Sequence, residues 1–95
     1  MLSFINPEDT MYQLAERVKL NRLAENFSRK SLAERSGVSE ASIKRFETTG
    51  EIALLALLKL AFALGSLQEF DKVFAPKDVI SIKDIRKKQR ARGRR

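Results

Sequence analysis

Between Ser39 and Thr48 the chain gathers Ser39, Glu40, Ala41, Ser42, Lys44, Arg45 and Thr48. The chemistry open to this set is recognition, not bond making. Lys and Arg only donate hydrogen bonds, glutamate only accepts, and serine and threonine hydroxyls do both. The 95-residue chain has no cysteine and no histidine. That excludes a disulfide, a thiolate or imidazole metal site, and a histidine acid–base mechanism. Carboxylates are present, but none stands in a recognisable catalytic context. The expectation is a protein that is not an enzyme and needs no cofactor.

Such residues are useful only if a frame presents them together. The stretch Arg29–Thr48, RKSLAERSGVSEASIKRFET, reads as two short helices joined by a tight turn. Ser28 is placed to cap the first helix, and Leu32 and Ala33 give it an inward face. Gly37 ends it, because glycine reaches the left-handed conformation of a sharp turn without steric cost. Val38 plugs the corner. Ser39 stands where an N-cap belongs, so its hydroxyl can accept from a free amide one turn on. Ile43 and Phe46 then form the inward face of the second helix at i, i+3 spacing. A small residue, a glycine four on and a β-branched residue six further is the spacing a helix-turn-helix needs.

With Arg22 ahead of it, Glu47 within RFETTG, and LLKLAFALG at Leu57–Gly65, this stretch resembles the lambda-repressor/Cro (Xre) family of helix-turn-helix regulators. The likeness runs from about Leu14 to Leu67. It implies an all-α, compact five-helix domain over residues 1–76, with the motif at 29–48 and a basic tail over 77–95. It also implies that Arg22 and Glu47 face each other, linking the first helix to the end of the recognition helix. Breaking such a buried pair costs about 3–5 kcal/mol, because one charge is stranded. Arg29 stands where the family commonly has a glutamine touching the DNA backbone. It is expected to grip a phosphate, with Lys30 beside it. A cation does not suit the positive end of a helix dipole unless an anion is near.

On a recognition helix laid along the major groove, N-terminal residues reach base edges. Ser39 or Ser42 can read several bases, Ala41 can touch a thymine methyl, and Arg45 can pair with guanine or hold phosphate, with Lys44 on the same outward face. Glu40 replaces the family's usual glutamine; it can accept from cytosine but is repelled by phosphate. Thr48, Thr49 and the amide of Gly50 end the helix where hydroxyls and a free N–H could meet phosphate.

The flanks follow from periodicity and caps. Asn6-Pro7-Glu8-Asp9 is a helix start, with a capping side chain, a proline at the first position and acidic residues at the positive dipole end. That helix should run to about Glu25, with Met11, Leu14 and Val18 inward. Asn21 falls on the same stripe, so either the helix is rotated slightly or Asn21 meets a polar partner. Glu51–Leu64 reads as a helix that is apolar almost all round, with Lys59 its one cation. Leu54, Leu57, Leu58, Ala61 and Leu64 suit the core. Leu55 and Phe62, seven apart, share a second face suited to a dimer or partner interface. Leu67–Phe74 reads as a short last helix whose Phe70, Val73 and Phe74 join that interface. Met1–Ile5 is apolar and either rests on the core or packs on a second subunit.

Net charge is +7, and it is localised. Residues 1–82 hold 11 Lys or Arg against 11 Asp or Glu, whereas residues 83–95 hold 8 against Asp84 alone. The body is neutral and the end is an arm, carried by Arg86, Lys87, Lys88, Arg90, Arg92, Arg94 and Arg95. Val79, Ile80 and Ile82 could form a strand; a helix from Ile82 to about Gln89, started by Ser81 and Asp84, is preferred. No apolar run is long enough to span a bilayer, and no basic stretch precedes an apolar core at the start, so no membrane role and a cytoplasmic, nucleoid-associated location are expected. The resemblance implies a dimer on palindromic operator DNA. Its small size and basic end are similar to HipB-like antitoxins, which implies autorepression and a HipA-like serine/threonine kinase toxin as partner. A protein-interaction module that neutralises or scaffolds a toxin, or a phage-type repressor, is the alternative.

Overall fold

The computed structural model describes residues 6–76. Their regular elements are all helical: α1 (Pro7–Ala24), α2 (Arg29–Ser36), α3 (Glu40–Thr49), α4 (Leu54–Ala63) and a closing 3-10 helix (Leu67–Lys72). The all-α reading is what the described residues form. The Met1–Ile5 segment, the strand-or-helix alternative at 79–89 and the cations of the arm lie outside the described residues. No helix among the described residues is long and apolar enough to cross a membrane.

Local chemistry starts and stops these helices. The Asn6 side chain accepts from the Asp9 amide at 2.7 Å, and Pro7 opens α1. Ser28 accepts from the Ser31 amide and Ser39 from the Ser42 amide, each at 3.0 Å, so both helices of the motif begin on a serine cap. Gly37 sits at φ +81° and its amide donates to Ala33 at 2.9 Å, closing α2. Gly50 does the same for α3 at φ +82°, donating to Phe46 at 2.8 Å.

The core forms where these helices meet. Leu32, Ile43, Phe46 and Leu60 are wholly buried, with Ala15, Val38 and Leu57 around them. Val38 fills the corner between α2 and α3 as its position suggested. Along α1 the buried positions are Ala15 and Arg22, with Met11, Leu14 and Val18 half-buried and Asn21 exposed. The helix is therefore rotated so that Asn21 stays in water, the first of the two alternatives.

Two boundaries differ from the periodic reading. α4 begins at Leu54, not Glu51, because Ile52 packs on the core and Ala53 is extended before the helix starts. Leu54 is consequently 66% exposed, on the rim of a hollow of about 330 Å³ shared with Met11, Leu14 and Ile52. It is not a core residue. The last element is a six-residue 3-10 turn that stops at Lys72, two residues short of Phe74. Val73 is extended there, and Phe74 takes φ +61° with its side chain fully in solvent.

Gly50 couples a backbone need to a packing need. A Cβ built on it would lie 3.1 Å from the Cβ and 3.2 Å from the carbonyl carbon of Met11. At Gly37 the conformation is the same, but a Cβ would meet open space. Gly37→Ala should therefore cost about 1–2 kcal/mol for the left-handed backbone alone. Gly50→Ala should cost more than Gly37→Ala, since α1 must also shift. Urea unfolding of the two variants measures the difference, and equal losses would contradict it.

Candidate functional site

α3 presents the residues singled out for recognition. Glu40, Ala41, Ser42, Lys44, Arg45 and Thr48 are all exposed, on the side away from buried Ile43 and Phe46. Ser39 is committed twice: it accepts from the Ser42 amide, and its hydroxyl shares a hydrogen bond with the Ser42 hydroxyl at 2.9 Å. Lys30 is exposed in the first turn of α2.

Behind this face lies a buried ion cluster. Arg22 Nε donates to Glu47 Oε2 at 2.8 Å and Arg22 Nη2 to Oε1 at 3.1 Å, a two-point grip, while Arg22 Nη1 donates to the Phe27 carbonyl at 2.8 Å. The pairing implied by the family resemblance is thus present. A third member joins it: Arg29 Nε donates to Glu47 Oε1 at 2.9 Å. Burial alone would raise the Glu47 carboxyl. The hydrogen bonds and charges of Arg22 and Arg29 outweigh burial and hold it below its ordinary value.

Several residues are placed differently from the sequence reading. Arg29, expected on a phosphate, rests on Glu47 in the structure; the anion that accommodates a cation at the start of α2 belongs to the protein itself. Thr48, expected to meet phosphate with its hydroxyl, donates back to the Lys44 carbonyl at 2.7 Å. Thr49 donates likewise to Arg45 at 2.8 Å, and the Gly50 amide is taken by Phe46. The end of α3 therefore has no spare donor among these groups. Arg45 is exposed but not alone, since its Nη2 donates to Glu51 Oε1 at 2.6 Å. The sequence reading placed Glu51 as the first residue of the next helix and gave it no role; in the structure it lies between α3 and α4. Arg35 was missed too; its guanidinium lies 4.3 Å from the Phe27 ring centre, a cation–π contact bracing the α1–α2 corner.

The apolar surface divides in two. Leu55 and Phe62 are exposed on α4, as their spacing required, and Phe62 borders a hollow of about 270 Å³ with Leu58 and Leu67. Phe70 does not join them. It is half-buried against the core, because the 3-10 turn rotates it inward. Val73 and Phe74 are exposed but lie beyond the last helix, so they do not extend a helical stripe.

No protein-family model matches this chain, and no curated protein matches it in sequence.

The ion cluster makes a pH prediction with a definite sign. Glu47 titrates lower folded than unfolded, so its contribution is complete above the unfolded carboxylate value of about 4.3 and is lost as pH falls through the lower folded value. Glu47→Gln should cost about 3–5 kcal/mol at neutral pH, stranding Arg22. It should also remove part of the acid sensitivity. Denaturant titrations of both proteins at neutral pH and in acid measure this; an identical pH slope would exclude Glu47 as the acid-labile group.

Proposed function

We propose that this protein is a sequence-specific DNA-binding transcriptional regulator of the Xre type, acting as a dimer and repressing its own operon. The observation that carries the reading is the α3 face: capped by Ser39, held from behind by Glu47, and open along Ser42, Lys44 and Arg45. Two such helices in successive major grooves of a palindrome require half-sites about 34–36 Å apart, or a multiple of that. Residues 83–95, with 8 cations against one acid, add phosphate attraction without base preference. The dimer contact is assigned to Leu55 and Phe62, and the same apolar strip suits a HipA-like toxin if the chain is an antitoxin. That exposed strip also favours a second reading, a module that binds protein and not DNA. A DNA-binding dimer would be nucleoid-associated.

A gel shift on the DNA upstream of its own reading frame tests the assignment. Lys44→Ala with Arg45→Ala should abolish the specific shift while leaving the thermal midpoint nearly unchanged. An unaffected shift would reject α3 as the reader and move the contact to the arm. Removing residues 83–95 should flatten the salt dependence of binding and leave base preference intact. The reverse outcome would reject the arm as a phosphate contact.

A further inference from the structure

The α3 face has a property beyond openness: its charges cancel. Lys44 and Arg45 are matched by Glu40 on the same helix and by Glu51 just after it. The Arg45–Glu51 pair is well placed for this. Gly50 turns the chain against Met11, and the Glu51 amide donates to Thr49 Oγ1 at 3.1 Å, so the backbone that carries the carboxylate is anchored. The side chains themselves are 68% and 57% exposed, and an exposed pair of this kind adds little to stability. The fold does not need it.

We infer that Glu51 is a specificity-determining residue that positions Arg45, an inference that rests on the DNA-reading function. Glu51 takes one N–H of a guanidinium that has five, leaving the others to a partner. A guanine edge, with O6 and N7 side by side, meets two of those donors at once. A phosphate offers mainly charge, and a cation already paired with a carboxylate gains less from charge. Glu51 therefore lowers the attraction of Arg45 for any duplex more than its attraction for the right one. Affinity is left to the cationic arm and selection to α3.

The test uses the full-length chain. A duplex enriched from a random pool by the wild-type protein is compared with a scrambled duplex of the same composition. Glu51→Gln should bind the scrambled duplex up to about eightfold more tightly near 0.1 M salt, with a salt slope steeper by about 1. Its preference for the enriched duplex should fall. In an Arg45→Ala background the same change should leave the ratio of binding between the enriched and scrambled duplexes untouched, because Glu51 selects through Arg45. Unaltered binding to the scrambled duplex would overturn the inference. So would weakening of both duplexes alike, or a change in preference that persists without Arg45. If the wild-type protein enriches no duplex at all, the DNA-reading function itself fails; a successful enrichment with an inert Glu51→Gln sinks only the role of Glu51.

Discussion

Glu47 belongs to α3, Arg22 to α1 and Arg29 to α2, and all three meet at one carboxylate whose side chain is 2% exposed. Apolar burial supplies most of the energy that holds such helices together, but it is non-directional and tolerates sliding. A two-point guanidinium–carboxylate grip is directional. It lets α3 sit at one rotation about its axis, because a turned helix would bury an unpaired charge. Arg22 also holds the Phe27 carbonyl, just after Asn26 at φ +61°, so the same side chain sets the corner between α1 and α2. The face that α3 turns outward is decided by what it keeps inside.

Much of this was legible in the chain. Asn6, Ser28 and Ser39 cap, Gly37 turns, and Val38, Ile43 and Phe46 bury, each for a reason carried within four or five residues. Arg22–Glu47 spans 25 positions and was reached only through family resemblance. Arg29–Glu47 was not reached, because no local rule distinguishes a cation that leans back across the fold from one that faces solvent. The start of α4 was misplaced because Ile52 and Ala53 run straight into the apolar residues of α4, and a short apolar run does not separate helix from extended chain. Leu54 then followed into the core by register, although the late start leaves it on a rim. The last element was misjudged for a related reason: Leu67, Phe70 and Phe74 fit a helical stripe, but a 3-10 turn advances three residues per turn and ends early.

The charge map gives the architecture a division that composition alone conceals. The whole of the +7 lies in residues 83–95, and the remainder sums to zero. Within the neutral part, four arginines are engaged internally: Arg22 and Arg29 on Glu47, Arg35 on Phe27 and Arg45 on Glu51. Lys30 and Lys44 are exposed beside them. A face built this way gains little from long-range attraction.

An open groove of about 490 Å³ runs between α1, α4 and the closing 3-10 helix, walled by Leu14, Val18, Leu57, Leu64 and Phe70. Over it the final turn contributes Phe70 as its anchoring ring, and no residue of that turn is fully buried. Burying one such ring is worth about 1.5–3 kcal/mol at most. Opening of residues 67–72 while α2 and α3 stay packed should therefore cost less than global unfolding. Amide protons would then exchange with solvent on a gradient, fastest at this flap and slowest around Phe46, and the native state is better pictured as a firm nucleus under a loosely latched edge.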